Sequence, residues 1–175
     1  RAAVVRSIRE NFFRRDYLEL ETPMLQVIHG GASARPFITH MNALDMDLYL
    51  RIATEIYLKR AVVGGVDRVF EMNRNFRNEG MDSSHSPEFT SLEAYEAYSD
   101  YNGMAELTRN LIQQAARDAF DLPEGQEIVT LADGTEYDLS GDWDHIDLYG
   151  STSEALGEEI TVDTPREKLL KYADQ

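Results

Sequence analysis

The stretch Arg77-Asn78-Glu79-Gly80, followed by His85-Ser86-Pro87-Glu88-Phe89, decides the fold because it lies between two runs that alternate as β-strands do. In residues 66–76 the even positions are mostly apolar and the odd positions mostly polar. The odd positions of the second run, which are Phe89, Ser91, Glu93 and Tyr95, also share one face. A hairpin would therefore set Glu93 and Tyr95 beside the polar row of the first run, which ends at Arg77.

An ordinary half-solvated antiparallel sheet would show the same alternation. Three features favour a binding site instead. Arg77 and Glu79 have the parity to point the same way, His85 lies in a loop without apolar neighbours, and Phe89 begins a polar-faced strand. A cation, acids, an imidazole and an aromatic ring on one turn are a plausible way to hold a nucleoside triphosphate.

The run from Phe76 through Thr90 resembles motif 2 of the class II aminoacyl-tRNA synthetases, and other segments resemble the lysyl enzymes in particular. Those segments are Gly30-Gly31-Ala32-Ser33-Ala34-Arg35-Pro36-Phe37, Leu50-Arg51-Ile52-Ala53-Thr54-Glu55-Ile56-Tyr57-Leu58-Lys59-Arg60 and Glu93-Ala94-Tyr95. The resemblance covers the chain from the first helix to about Tyr101, and more loosely beyond. Ordered segments at the family's spacing are far more specific than a lone Phe-Arg-x-Glu match.

The resemblance implies the class II catalytic fold, which is an α+β fold with a mixed, mainly antiparallel sheet flanked by helices. Strands that precede helices and pair with antiparallel neighbours agree with that class. Motif 1 would lie at about residues 1–25 and would form a homodimer interface, and motif 2 would lie at about 66–98. Residues 1–175 would then be part of one truncated catalytic domain.

Outside the hairpin, periodicity and turn residues predict the remaining elements. Helices are expected to about residue 13, from 55 to a glycine end at 64–65, around 104–119, and from Thr164 onward. Strands are expected at 17–21, 37–41 and 46–52, with a further hairpin at 128–139 about Asp133-Gly134.

Composition bounds the class of protein. The chain has 175 residues, of which 42% are hydrophobic, so one sizeable core is expected. The sequence has no apolar run that could span a bilayer and no signal segment, which predicts a cytoplasmic protein without a membrane partner. The absence of cysteine excludes disulfides, thiolate zinc sites and cysteine nucleophiles.

The net charge of −15 is unusual for a protein that would handle tRNA. The acidity is concentrated in the second half, since residues 1–78 contain 12 basic and 9 acidic side chains and residues 79–175 contain 5 and 23. A basic surface is the usual footprint of nucleic-acid binding. Any grip on tRNA(Lys) is therefore expected from the first half or from parts of the protein outside this sequence.

We expect the protein to extend further, because the chain begins at Arg1 within an amphipathic pattern and stops at Gln175 just after a helix start. Lysyl enzymes have an OB-fold anticodon domain before this region. After it they have motif 3, with a further ATP-binding arginine, and the acids that bind Mg²⁺. The resemblance therefore implies no metal ligand within residues 1–175, and no activity of these residues alone.

Formation of an amino-acid adenylate requires positioning and charge neutralisation rather than a base, because the attacking carboxylate is already a nucleophile. Arg77 can contact both the α-phosphate of ATP and the substrate carboxylate through its planar fork, which makes it the candidate catalytic residue. The resemblance implies that Glu79 binds the adenine amino group, that His85 binds the γ-phosphate, and that Phe89 stacks on the adenine. Ordinary core packing is the alternative for Phe89.

A lysine side chain needs an anion to bind it. Glu93 with the hydroxyl of Tyr95 can receive its ammonium group, while Arg77 takes the carboxylate. The resemblance implies that Glu55 and the backbone of Gly31 contact the α-amino group. By itself Glu55 would more often be an acid favoured at a helix N-terminus, and the glycine would be part of a plain turn. The remaining histidines, His29, His40 and His145, are expected to be structural or exposed.

The prediction is ATP-dependent activation of lysine as lysyl-adenylate and its transfer to tRNA(Lys). One alternative is a paralogue that attaches lysine to a protein such as a translation factor, which an upstream OB-fold domain would argue against. The other is a non-catalytic regulatory paralogue that binds lysine. Intact Arg77, Glu79 and Phe89 argue against that one, since a pure binder has no use for a phosphate clamp.

Overall fold

A computed structural model of the chain describes residues 1–173, which form two compact units, residues 1–140 and the residues from 141 onward. The first unit contains α1 (Ala2–Arg14), β1 (Leu18–Glu19), β2 (Leu25–Gln26), β3 (Ile38–Met41), β4 (Met46–Leu50), α2 (Glu55–Val63), β5 (Arg68–Phe76), β6 (Glu88–Glu96), α3 (Tyr101–Phe120), β7 (Ile128–Thr130) and β8 (Glu136–Asp138). The second contains α4 (Leu148–Leu156) and α5 (Arg166–Ala173).

The hairpin of β5 and β6 is the centre of the first unit. The two strands pair antiparallel over their whole length, and β1 pairs parallel to the other edge of β5. Glu71 lies opposite Glu93, and Val69 lies opposite Tyr95. The predicted sharing of one face by the odd positions of both strands is thus confirmed, because direct opposition preserves the parity of side chains.

The even face of the hairpin packs on helices. Phe70 is stacked on Phe12 of α1 with ring centres 4.4 Å apart. Tyr17 contacts the ring of Phe12 edge-on, with ring centres 5.0 Å apart. Leu107 and Leu111 of α3 complete this buried cluster. The helices are positioned by their apolar stripes, and the packing holds the sheet rigid behind the site.

The second sheet has the order β2-β4-β3 and is antiparallel throughout. Asp45 adopts a positive φ of 46° in the tight turn between β3 and β4, as short turns require of one residue. After β4 the chain continues through the buried segment Arg51-Ile52-Ala53-Thr54 into α2. This segment lies beside the end of β5, where the backbone nitrogen of Phe76 donates to the carbonyl of Arg51 at 3.0 Å.

The α+β class with mixed and antiparallel sheets is as expected, but several details differ. The strand expected at 17–21 is confined to Leu18–Glu19, and the one expected at 46–52 ends at Leu50. α4 was not predicted, because residues 148–156 lack a continuous apolar stripe. The C-terminal end of α2 uses Gly65 (φ 97°) for the left-handed position, while Gly64 stays right-handed.

The largest difference concerns the polar face of β5. The alternation predicts that this face is mostly polar, yet Val69, Glu71 and Asn75 are buried there. The segment that follows β4 packs against this face, and its Arg51 side chain pairs with Glu71 and bonds the backbone carbonyl of Arg74. No helix within residues 1–173 combines the length and the apolar content that crossing a membrane would need.

Candidate active site

All four candidate ATP-binding side chains line one open cavity of about 580 Å³ at the turn end of the hairpin. They come from different elements, because the cavity is formed by the end of β5, the loop and the start of β6. The lining residues are Arg77, Glu79, Gly80, Met81, Asp82, Ser84, His85, Ser86 and Phe89. The parity of Arg77 and Glu79 and the loop position of His85 thus produce the convergence that the sequence suggested.

Two contacts orient the guanidinium of Arg77. Its Cζ lies 5.1 Å from the ring centre of Phe89, and its Nε donates to the carbonyl of Ile52 at 3.4 Å. Neither contact uses the terminal nitrogens of the guanidinium. The two contacts therefore orient the group without occupying those nitrogens. A planar fork held in this way can bind a carboxylate and a phosphate oxygen side by side.

The loop is tied to the Gly30–Phe37 segment at one point. The backbone nitrogen of Asn78 donates to the carbonyl of Arg35 at 2.7 Å, and the backbone nitrogen of Arg35 donates to Oε1 of Glu79 at 3.3 Å. The side chain of Glu79 is exposed, and its hydrogen bond with the backbone nitrogen of Arg35 sets its position. Arg35 belongs to a segment that the sequence singled out, but its pairing with the loop was not foreseen.

Asp82 organises the tip of the loop. Its Oδ1 accepts hydrogen bonds from the backbone nitrogens of Ser84 at 2.7 Å and His85 at 2.8 Å, and Nδ1 of His85 lies 2.9 Å away. The bond from Ser84, followed by the His85 ring, lowers the pKa of Asp82 below its ordinary value. These contacts hold the His85 ring at the lining of the cavity through an exposed turn.

The candidate lysine-binding acid is held on both sides. Oε2 of Glu93 accepts from the hydroxyl of Tyr95 at 2.8 Å, and Oε1 accepts from the backbone nitrogen of Thr54 at 3.1 Å. Burial, followed by the hydrogen bond and charge of Glu93, raises the pKa of Tyr95, so the phenol keeps the proton it donates. Two donors therefore fix the carboxylate of Glu93 on a half-buried strand face.

Gly31 and Glu55 are brought together, as the lysine-site expectation requires. Gly31 has a φ of 89°, and a Cβ added there would lie 2.9 Å from the Cβ of Glu55. Glu55 is the first residue of α2, and its Oε1 pairs with Nζ of Lys59 at 2.7 Å. Nζ of Lys59 also lies 5.6 Å from the ring centre of Tyr95, which links this group to the Glu93 side.

The candidate residues thus form two groups on one surface. Phe89 belongs to the cavity and Glu93 to the second group, and they share the odd face of β6 at a separation of roughly 13 Å along the strand. Arg77 follows the end of β5 with the same odd parity, lines the cavity, and bonds the segment 51–54 that also bonds Glu93. The sequence missed Arg51 and Thr54 as parts of this arrangement. A charged residue inside the apolar run 50–53 was the available signal, since such residues are rarely buried unpaired.

The other histidines lie apart from this surface. His40 pairs with Asp47 at 2.9 Å on the second sheet, and the ring of His29 meets Tyr49 edge-on at 4.9 Å. His145 is exposed. These positions agree with the structural or exposed roles expected for them.

Comparison with known proteins gives a consistent result. The family described as tRNA synthetases class II (D, K and N) matches residues 1–172. The lysine–tRNA ligase of Kineococcus radiotolerans is 60% identical over 175 residues, which is all of this chain and 34% of the relative. The corresponding ligase of Mycolicibacterium gilvum is 62% identical over the same shares.

A relative with a different name is also similar. The lysylphosphatidylglycerol biosynthesis bifunctional protein LysX of Mycolicibacterium vanbaalenii is 53% identical over 179 residues, covering all of this chain and 16% of that protein. The chain therefore spans about a third of the length of the ligases it matches, and less of the bifunctional protein.

Proposed function

Because the chain belongs to the class II tRNA synthetases of the D, K and N group, we propose that it is the part of a lysine–tRNA ligase that binds ATP and lysine. The full protein would activate lysine as lysyl-adenylate and transfer it to tRNA(Lys). The observation that carries this proposal is the placement of Glu93. Its carboxylate, held by Tyr95 and Thr54, lies on the same sheet face as Arg77 and Phe89.

The first step joins lysine to ATP. A carboxylate oxygen of lysine attacks the α-phosphorus, the bond from that phosphorus to the oxygen bridging to the β-phosphate breaks, and pyrophosphate leaves. Arg77 neutralises charge on the carboxylate and the α-phosphate, which allows the two anions to approach. In the second step a hydroxyl of the terminal tRNA ribose attacks the lysyl carbonyl, and AMP leaves.

The side-chain pocket favours lysine over the other two amino acids of the group. A lysine ammonium would meet the carboxylate of Glu93, whereas an aspartate side chain would bring a second negative charge to a half-buried acid. The amide of asparagine is shorter than a lysine side chain and carries no charge to neutralise the acid. Electrostatics therefore supplies the discrimination.

The proposed family activity uses Mg²⁺ with ATP. No group of three His, Asp or Glu side chains in the described part of the chain is arranged to hold a metal ion, so these residues do not fit that role. Under this proposal the ligands lie in the remainder of the protein, with motif 3 and one wall of the lysine pocket.

The proposal extends to the assembly. Residues 1–175 would be part of one catalytic domain, with an OB-fold anticodon domain elsewhere in a cytoplasmic protein. Apolar side chains in the motif 1 region, among them Phe13, Leu18 and Leu25, are about half exposed, which supports a homodimer through that region.

The test is lysine-dependent exchange between ATP and pyrophosphate by the full-length protein. Native protein is expected to exchange with lysine, and Glu93→Gln is expected to raise the lysine KM by roughly 10- to 100-fold, because a charge-assisted contact is lost. Glu88→Gln is the matched control, since Glu88 lies on the same strand with an exposed side chain on the opposite face. Exchange with aspartate or asparagine but not with lysine would refute the proposal.

The acceptor is tested separately. Native protein is expected to transfer lysine from the adenylate to tRNA(Lys). Normal exchange combined with transfer only to a protein would favour the lysylating paralogue, and lysine binding without any exchange would favour a regulatory paralogue. Each result is distinct, because activation and transfer are measured with different substrates.

A further inference from the structure

One short segment contacts both groups of the candidate site. In Arg51-Ile52-Ala53-Thr54, all four residues are at most 5% exposed. The carbonyl of Ile52 accepts from Nε of Arg77 at 3.4 Å, and the backbone nitrogen of Thr54 donates to Glu93 at 3.1 Å. Ala53 lies against Gly31, where an added Cβ would approach the Ala53 Cβ to 3.2 Å. The position of this segment therefore determines the positions of Arg77, Glu93 and Gly31 together.

The side chain of Arg51 anchors this segment to the sheet. It is completely buried, and its Nε donates to the carbonyl of Arg74 at 2.8 Å. Its Nη1 lies 2.7 Å from Oε1 of Glu71 and donates to the carbonyl of Thr22 at 2.9 Å. Glu71 in turn accepts from the hydroxyl of Thr22 at 2.6 Å. One guanidinium thus connects the segment, β5 and the end of the motif 1 region.

Stability alone does not account for this arrangement. Burying two charges costs desolvation that their attraction repays only when every polar atom is satisfied. Within residues 1–173 the second terminal nitrogen, Nη2 of Arg51, has no hydrogen-bond partner. A well-packed apolar pair of similar volume would stabilise the fold as well or better. The pair is therefore weak evidence of stabilisation, whereas its contacts beside the site are direct.

The effect of the pair on the site follows from the register of the hairpin. Glu71 lies directly opposite Glu93, and both side chains project from the same face. Like charges in opposite positions repel each other. Arg51 neutralises Glu71 and draws its carboxylate toward Thr22, which leaves Glu93 as the acid of this opposed pair that is available to a cationic ligand.

We infer that Arg51 is a positioning residue for the proposed activity: through its contacts with Glu71, Thr22 and Arg74, it holds the 51–54 segment so that Ile52 directs Arg77 and Thr54 directs Glu93. The inference rests on the proposed function. It assigns to Arg51 no direct contact with lysine or ATP. Its removal should therefore disturb lysine use and turnover together while sparing the adenine contacts at the loop end.

The kinetic test compares Arg51→Lys with native full-length protein in the exchange assay. The substituted lysine side chain keeps a positive charge beside Glu71. Its single ammonium group cannot reproduce the contacts of the planar guanidinium with Glu71, Thr22 and the carbonyl of Arg74. We expect the lysine KM to rise about tenfold and kcat to fall about tenfold, with the KM for ATP within about twofold. Arg68→Lys is the control, because Arg68 lies on β5 like Glu71, has an exposed side chain of opposite parity, and pairs with Glu96 at 2.6 Å.

Two further measurements keep the inference falsifiable. If Arg51→Lys fails to fold, the double variant Arg51→Met with Glu71→Met removes both buried charges at similar volume and should fold. It is expected to keep the raised lysine KM and the reduced kcat. Native kinetics in this variant would overturn the inference, as would an Arg51→Lys enzyme whose only change is a lower Tm.

The third readout does not depend on activity. The amide of Thr54 donates to Glu93, so its hydrogen exchange in the full-length protein should accelerate in Arg51→Lys and stay native in Arg68→Lys. Unchanged exchange at Thr54 would refute the positioning role even if lysine proved not to be the substrate. Failure of the native protein to exchange with lysine would instead refute the proposed function.

Discussion

The two ends of the β5–β6 hairpin hold their side chains in different ways. At the strand end, Glu93 is fixed by Tyr95 and by a buried backbone amide, and the supporting segment is covered on all sides. At the turn end, Glu79 and His85 are exposed and are held by loop contacts. The strand end is preorganised, whereas the turn end can adjust to its ligand.

This difference matches what each end would have to recognise under the proposed function. A single ammonium group is selected best by a charge that does not move, because reorganisation would weaken the discrimination. A triphosphate is large and flexible, and an open loop can close around it. Substitutions at the strand end should therefore alter lysine use strongly, and substitutions at the loop tip should alter ATP use weakly.

The largest effect is expected where the two ends meet. Arg77→Lys should lower kcat by roughly 10²-fold or more, because lysine cannot contact carboxylate and phosphate at once as charge develops. Steady-state exchange by the full-length protein measures this. Arg74→Lys is the control, since Arg74 is exposed and has the opposite parity on β5. A near-native Arg77→Lys enzyme would mean that Arg77 is only a charge on the sheet face.

A smaller effect is expected at the glycine pair. Gly31→Ala should raise the lysine KM by about tenfold, because a positive φ is strained for alanine and its Cβ would meet Glu55 at 2.9 Å. Gly30→Ala should change it by less than about twofold, since its nearest contact would be Ile56 at an ordinary 3.6 Å. Equal effects of the two substitutions would show that Gly31 is merely part of a turn.

The smallest effect is expected at the loop tip. Asp82→Ala should raise the KM for ATP only a few-fold and leave the lysine KM unchanged, because the lost hydrogen bonds are exposed to water. The pKa of Asp82 is lowered in the folded loop. The stabilisation that Asp82 gives to the folded loop is therefore complete above its ordinary pKa of 3.8. It is lost only as the pH falls through the lower pKa of the folded loop.

The corresponding measurement is carboxyl titration by NMR. Asp82 should titrate below 3.8 in the native protein, and no change in the KM for ATP above pH 5 should come from this group. A lysine KM that changes as much as the KM for ATP in Asp82→Ala would contradict the separation of the two ends.

Much of the candidate site could be predicted from the sequence. Parity alone placed Glu93 and Tyr95 beside the polar row of β5, and the register confirms it. The roles assigned to these residues rest on resemblance and stay predictions. The alternation did not reveal that Val69, Glu71 and Asn75 are buried, because periodicity reports which side chains share a face but not what covers that face.

The sequence by itself determined the hairpin, the side-chain parity along it and the family, since these depend on local alternation and on motif spacing. Only the tertiary structure decided that Glu71 is buried and that Arg51, 20 residues earlier, is its partner. It alone placed Thr54 against Glu93, 39 residues away. Such contacts depend on how the 51–54 segment packs on the sheet, and packing between distant segments leaves no period in the sequence.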